Sequence, residues 1–205
     1  MNSHSYLSPM AETQSTKTLI RKEALRLFAK QGYSAVSMRE LAEAVGMRQG
    51  GIYNHFKGKQ ALLVDLMATH MTSVLEAMDQ ALAGQDSPAD QLTAFARNHV
   101  TFHLSSPHDV FLAYMEMRSL EPTNRATIIA LRDRYEGTLK AILETGMAEG
   151  TFQINDAAVH ARMLLAMMTG ATVWYQEGGR LSRQDVVDCY LQGVLQSVGL
   201  RGVTT

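Results

Sequence analysis

Apolar residues recur with a helical period along almost the whole chain. Ile20, Ala24, Leu27 and Phe28 stand at i, i+4, i+7 and i+8, and Gly32 follows as a C-terminal cap. Met38, Leu41, Ala42 and Val45 stand at i, i+3, i+4 and i+7, with Gly46 closing the second helix. One later stripe runs through Leu131, Tyr135, Leu139 and Ile142. Another links Val159, Met163, Ala166, Met167, Gly170, Val173 and Trp174, and a last one Val187, Tyr190, Leu191, Val194, Leu195 and Val198. Strand-like alternation does not persist beyond residues 151–154. Four Ser-x-x-acid pairs mark helix starts: Ser37 with Glu40, Ser87 with Asp90, Ser106 with Asp109, and Ser182 with Asp185. Pro88 and Pro107 follow their caps directly, where a missing N–H costs nothing. The pattern predicts an all-α fold of about nine helices. Residues 1–15 are polar and without period, and read as a mobile N-terminal tail rather than a secretory signal.

Composition narrows this further. A chain of 205 residues with 46% hydrophobic and 19% charged positions is ordinary for a folded protein. Cys189 is the sole cysteine, which excludes an internal disulfide and a cysteine-based zinc module and fits a reducing cytoplasm. Charge is expected to interrupt every apolar stretch before a membrane span is reached, so no membrane role is expected. The net charge of -1 conceals an asymmetry. Residues 16–60 hold nine Lys or Arg against three acids, a net of +6, whereas the remainder holds ten against seventeen, a net of -7. One basic module joined to an acidic body is what a chain shows when one part meets phosphate.

That basic segment contains two short helical stretches, 37–45 and roughly 49–56, joined by Gly46-Met47-Arg48. Such spacing suits a helix-turn-helix, whose first helix fixes the angle at which the second enters the major groove. Ile52 and Phe56, at i and i+4, can pack inward and leave Gln49, Gly51, Asn54 and His55 outward. Gly50 and Gly51 weaken that helix by about 1 kcal/mol each relative to Ala, but allow close approach of a DNA backbone.

The stretch from Ile20 to Tyr33, then Ser37 to Met47, then Gly50-Gly-Ile-Tyr-Asn-His-Phe-Lys-Gly-Lys59 resembles the DNA-binding domain of the TetR family of bacterial repressors. The resemblance covers residues 16 to about 65 and implies a homodimer on double-stranded, palindromic operator DNA. It also implies phosphate contacts from Tyr53, His55 and Lys59, and an opposite-strand contact at Ser37 and the N–H groups it caps. Gln49, Gly51 and Asn54 are left for base edges. Arg48 departs from the small polar cap common in the family, and suits either a phosphate or a guanine edge.

The remaining chain, 61–200, is expected to bind a ligand and dimerise. Met67, Met71, Met115, Met163 and Met167 sit with Phe102, Phe111, Tyr114, Tyr135 and Trp174 on helices that must pack together, as core or as the lining of a cavity that reshapes around an apolar ligand. Arg118 and, second, Arg162 are the cations placed to meet a ligand anion. The stripes over 156–176 and 183–198, with Gly170, Gly193 and Val194, are expected to form the dimer seam. His99 and His103 lie at i and i+4 without a carboxylate to complete a metal site, so hydrogen-bonded histidines are expected and no metal or cofactor. No nucleophile elbow, metalloprotease motif or phosphate loop is present, so an enzyme is not expected. Residues 135–143, Gly150-Thr-Phe152 and Trp174 to Ser182 loosely resemble the TetR-family branch that senses acyl-CoA thioesters. This implies an acyl-CoA effector; the alternatives are a multidrug or free-acid sensor, or a DNA-binding protein without effector.

Overall fold

The computed structural model describes residues 9–200, with side chains from residue 16 onward. Among these the fold is entirely helical, as the periodicity requires. The N-terminal part is α1 (Pro9–Gln31), α2 (Met38–Ala44) and α3 (Gln49–Tyr53). The body is α4 (Lys59–Leu82), α5 (Pro88–Ser105), α6 (Pro107–Met115), a 3-10 turn (Met117–Ser119), α7 (Pro122–Ala148), α8 (Ala157–Thr169), the one-turn α9 (Ala171–Trp174) and α10 (Arg183–Ser197). Helix α1 begins at Pro9, so residues 9–15 extend it and do not form the expected tail; residues 1–8 lie outside the described residues.

Three of the four expected caps form. The hydroxyls of Ser37, Ser87 and Ser182 accept from the N–H groups of Glu40, Asp90 and Asp185, and Asp185 closes a full capping box by accepting from the Ser182 N–H. Ser106 is different. It is the single residue between α5 and α6: its N–H is bonded to His103 O and its carbonyl takes the N–H of Val110, while its side chain caps nothing. That backbone double duty replaces the box.

Two apolar cores are stacked along α4. The first joins Ile20, Leu27, Phe28, Leu41, Ile52 and Phe56 to Leu62, Leu63 and Met67 of α4, and also takes in Leu112 of α6 and Ile128 of α7. The second joins Met71, Val74, Leu75 and Met78 of α4 to α5, α7, α8 and α10. The head is therefore not sealed at residue 60: α4 runs through both cores, and α6 and α7 pack against the head. By length and composition α4 could cross a membrane, contrary to the expectation that charge interrupts every apolar stretch. Its apolar side is instead consumed by the two cores, with nine residues buried.

The seam expectation needs revision. Val186, Val187 and Val194 are all but inaccessible within the protomer's own second core. What α8 leaves uncovered is Val159, Met163 and Met167, at i, i+4 and i+8, followed by Val173 and Trp174. The i+3/i+4 spacing of Val187, Leu191 and Val194 marks an inward face, and the sequence alone did not say inward toward which chain.

Candidate functional site

The head is a helix-turn-helix. Helix α2 is closed beyond its C-cap Val45 by Gly46, whose φ of 68° is left-handed. Its N–H returns to Glu43 O and that of Met47 to Ala42 O, a Schellman closure that turns the chain within two residues. Helix α3 is one and a half turns, shorter than the expected 49–56, because two glycines open it. The chain nevertheless stays coiled to Phe56: both His55 and Phe56 N–H groups bond to Ile52 O. Ile52 and Phe56 are buried, as expected. Arg48, Gln49, Tyr53 and Asn54 are exposed, or nearly so, and Gly51 and His55 are half-buried. A Cβ at Gly51 would lie 2.9 Å from the Met47 methyl, the movable end of a flexible side chain, so packing alone does not demand glycine there. Ser37 is exposed at the start of α2 with its hydroxyl on Glu40 N.

Lys59 is placed differently from a free phosphate ligand. Its Nζ lies 2.8, 3.3 and 2.8 Å from the carbonyl oxygens of Tyr33, Ser34 and Val36, and 4.3 Å from the centre of the Tyr33 ring. An ammonium has three protons, and the three carbonyls take them. Burial lowers its pKa, against the pull of Glu116. Lys59 thus clasps the α1–α2 turn to the start of α4. Two more polar ties hold the same place. The buried Glu116 carboxylate, at the end of α6, accepts from Tyr33 N at 3.0 Å and from the Ser119 hydroxyl at 2.6 Å. Gln60 donates to Ser119 O at 2.6 Å and to the Tyr33 hydroxyl at 3.0 Å. Beside them Arg21 makes a two-toothed bond to Asp65 at 2.6 and 2.8 Å; burial opposes ionisation of Asp65, but Arg21 and Lys17 outweigh it and lower its pKa. Lys59→Met should accordingly lower the melting temperature by a few degrees, since two part-buried carbonyls and an exposed one lose a charged donor, at about 1–2 kcal/mol. It should change the salt slope of DNA binding by less than one full phosphate contact. A normal melting temperature with a slope shallower by one would restore the simple phosphate role.

The body holds two neighbouring cavities. The outer, about 660 Å³, is mostly apolar and is bordered by Phe111, Tyr114 and Met115 of α6 and by Ala166, Gly170 and Val173. Ala29 of α1 also lines it. The inner, about 60 Å³, is bordered by His70, Met71, His99, His103, Tyr114 and Tyr135, with Arg132 and Glu136. Tyr114 is common to both. A hydrogen-bonded chain crosses this region: Tyr135 Oη to His99 Nδ1 at 2.9 Å, His99 Nε2 to Thr169 Oγ1 at 3.1 Å, and Thr169 Oγ1 to Tyr114 Oη at 3.0 Å. Burial holds His70 and His103 down to about 4, His99 well below its ordinary value, and raises Tyr135, so all four side chains are neutral near pH 7.

Of the residues expected to line a cavity, Met71, Phe111, Tyr114, Met115 and Tyr135 do so. Phe102 packs beside them, its ring 6.0 Å from that of His70. Met67 is fully buried in the first core, and Met163 and Met167 face outward. Trp174 stacks on Tyr190 and donates to its hydroxyl at 3.1 Å, away from both cavities. Arg118 is on the 3-10 turn and borders neither cavity, and Arg162 pairs with Glu136 at 2.7 Å. The cation at the cavities is Arg132, 4.8 Å from the centre of the Tyr114 ring. Sequence reading passed over Arg132, His70 and Thr169. A histidine in the apolar face of α4 was the one local signal available.

A helix-turn-helix head clasped to a helical body with an apolar cavity defines a DNA-binding regulator with a chamber for a small molecule. The comparisons agree: residues 20–66 match the family described as bacterial regulatory proteins, tetR family, and residues 85–198 the tetracyclin repressor-like C-terminal domain. The chain belongs to the TetR family. It is 26% identical over 198 residues to the HTH-type transcriptional repressor KstR2 of Rhodococcus jostii, covering 93% of this chain and 96% of that one. The structure of the TetR family transcriptional regulator PfmR of Thermus thermophilus superposes with a TM-score of 0.78 at 31% identity, covering 91% and 99%. That of AibR, in complex with isovaleryl coenzyme A and operator DNA, superposes with a TM-score of 0.81 at 25% identity, covering 87% and 97%.

Proposed function

We propose that this protein is a repressor that binds a palindromic operator as a homodimer and is released by a small, largely apolar effector, an acyl-CoA thioester. One observation carries the coupling: the outer cavity is walled by α6, which ends at Glu116, and Glu116 holds the backbone of Tyr33 in the head. A ligand wedged against Phe111, Tyr114 and Met115 therefore pushes on an element bonded to the α1–α2 turn. Release follows only if the ligand binds better to a displaced α6 than to the arrangement that fits DNA.

In this reading Gln49, Gly51 and Asn54 meet base edges, while Arg48, Tyr53 and His55 meet phosphate or, for Arg48, guanine. Ser37 holds backbone through the N–H groups at the α2 start. Lys59 positions the unit from within. The acyl portion fits the apolar outer cavity. Arg118 borders neither cavity; Arg132 borders the inner one, and no arginine or lysine borders the outer one. AibR, similar over most of both chains, is seen with an acyl-CoA and its operator, which supports this class of effector. The relatives also include an HTH-type transcriptional regulator AcrR from Shigella flexneri, 29% identical over 167 residues, so the test includes uncharged drugs and free acids.

Thermal-shift screening with straight and branched acyl-CoA thioesters, followed by operator binding with each hit, decides the matter. A CoA thioester should raise the melting temperature and weaken operator binding by about tenfold or more, within the range of a typical coupling. Release by a free acid or drug, with every thioester inert, would replace the acyl-CoA reading.

A further inference from the structure

The inner cavity presents two imidazoles whose free ring nitrogens are not sealed in protein. His103 is buried, and its Nδ1 lies 2.8 Å from His99 O. A carbonyl oxygen only accepts, so Nδ1 carries the proton. In the neutral ring Nε2 is then a bare lone pair. Among the described residues nothing donates to it. His70, also buried and neutral, is bonded through neither ring nitrogen to any described residue. Its ring centre is 6.1 Å from that of His103, with the planes at 76°. Both imidazoles border the inner cavity, whose other neighbours include Met71, Val74 and Leu165 and the charged Arg132 and Glu136.

Among the described residues no sealed side-chain nitrogen or oxygen lacks a partner, so these free nitrogens are accessible and open onto the cavity, where water or a guest meets them. The tautomer specifies its chemistry. His103 Nε2 needs a donor, and the neutral His70 ring offers one N–H and one lone pair. A hydroxyl satisfies both at once: it donates to His103 and accepts from His70. At about 2.8 Å from each nitrogen, one oxygen spans rings this far apart. A carboxylate, which only accepts, would face the lone pair of His103 and the Glu136 carboxylate, offset by His70 N–H and by Arg132 at the same cavity, so it leaves His103 without a donor. A plain alkyl end would bury both imidazoles without partners.

We propose that the inner cavity is a subsite for a hydroxyl carried at the far end of the effector's apolar portion, received by His103 Nε2 and His70. The volume suits it: about 60 Å³ admits a few heavy atoms, as in a hydroxymethyl end, and no more. The route is marked by Tyr114, which borders both cavities and whose hydroxyl is tied to Thr169. An effector body in the outer cavity reaches the subsite past that side chain. This inference rests on the effector reading above and sharpens it, from an apolar acyl group to a hydroxylated one.

The test uses the full-length protein and three matched probes at each even chain length from about four to about sixteen carbons, a span chosen to bracket the outer cavity: the straight acyl-CoA, its terminally hydroxylated counterpart and its terminally carboxylated counterpart. At the best length the hydroxylated probe should bind about tenfold more tightly than the alkyl one, and more tightly than the carboxylated one. His103→Phe, which keeps the ring stack on His99, should erase the hydroxyl preference while leaving the alkyl probe bound. Equal affinity of hydroxylated and alkyl probes for the native protein overturns the subsite and leaves the acyl-CoA reading intact. Binding of none of the thioesters, with operator binding unimpaired, overturns the acyl-CoA reading itself. If the variant does not fold, nitrogen NMR spectra of the native histidines decide: His103 should show a protonated Nδ1 and an unprotonated Nε2, and the Nε2 resonance should move when the hydroxylated probe is added and stay when the alkyl probe is added. The opposite tautomer, or no movement, overturns the proposal.

Discussion

Val194→Glu should unfold the protomer, whereas Met163→Glu should leave it folded and separate the dimer. Both residues belong to apolar helical stripes that look equivalent in sequence, yet Val194 is fully buried in the second core and Met163 is 59% exposed on α8. A carboxylate at position 194 has no cation within its core and must be buried unpaired or expelled, which places it among the most destabilising single changes, at about 4 kcal/mol or more. In a chain of this size that amounts to a melting temperature lower by roughly 10 °C or to no folding at all. At position 163 the same carboxylate is solvated in the protomer. It is buried only if Val159, Met163 and Met167 meet their copies across a two-fold axis. Sedimentation of Met163→Glu should therefore show a monomer with native helical content and weakened operator binding, since two half-sites are no longer held together. A dimer of Met163→Glu as tight as the native one would move the interface off α8.

The contrast shows where the sequence was legible. Period and capping located nearly every helix, because i+3/i+4 spacing and Ser-x-x-acid pairs are local properties. The Ser37, Ser87 and Ser182 caps are where they were expected, and Ile52 and Phe56 turn inward as their spacing says. What period cannot give is the identity of the surface that an apolar stripe covers. Val194 and Met163 were therefore assigned to one seam, although one points into the second core and the other away from it. Long-range polar pairing was equally out of reach. Lys59 reads as a free cation until the carbonyls of Tyr33, Ser34 and Val36, each more than twenty residues away, are brought around it. Arg118 and Arg132 are both arginines near an apolar segment, and only the fold puts Arg132 over Tyr114. The histidine pair at 99 and 103 was visible, but its third member sits on α4 and its acceptor-donor chain on α7, α8 and α6.

These same long-range pairings tie the wall of the outer cavity to the head. Helix α4 contributes apolar residues to both cores, and α6 packs Leu112 into the head while walling the outer cavity, so neither can shift without disturbing the head. At their junction the ties are directional: Glu116 to Tyr33 N, Gln60 to Ser119 O, Lys59 to the turn carbonyls. Apolar contacts tolerate sliding, but hydrogen bonds at 2.6–3.0 Å do not. A displacement of α6, as the proposed effector response requires, would be felt at the α1–α2 turn as a choice between keeping and breaking bonds.

Acidification from pH 7 to pH 5 should destabilise the protein by about 4 kcal/mol, through His70 and His103 alone. In the unfolded chain each imidazole has an ordinary value of 6.5; in the fold, burial brings each to about 4. The unfolded state therefore binds more protons between these values. A depressed histidine contributes stability that is fully present above pH 6.5 and is lost as pH falls toward 4. At pH 5, about 1.5 pH units below the value of the unfolded ring, protonation favours the unfolded state by about 2 kcal/mol for each ring. His99, held well below its ordinary value, adds in the same direction. Asp65 is lowered from an ordinary value of 3.8, so its contribution is lost only below the window in question. The melting temperature should consequently fall by roughly 8–16 °C between pH 7 and pH 5. His70→Phe should remove about half of the part due to these two rings. The ligand arm has the same sign: a hydroxylated effector that needs the lone pair of His103 should protect the protein most at pH 7 and progressively less toward pH 5. A melting temperature flat across this range, with native helical content at both ends, would mean that the imidazoles are solvated or charged in the fold, and would remove the ground for a neutral hydroxyl-reading pair.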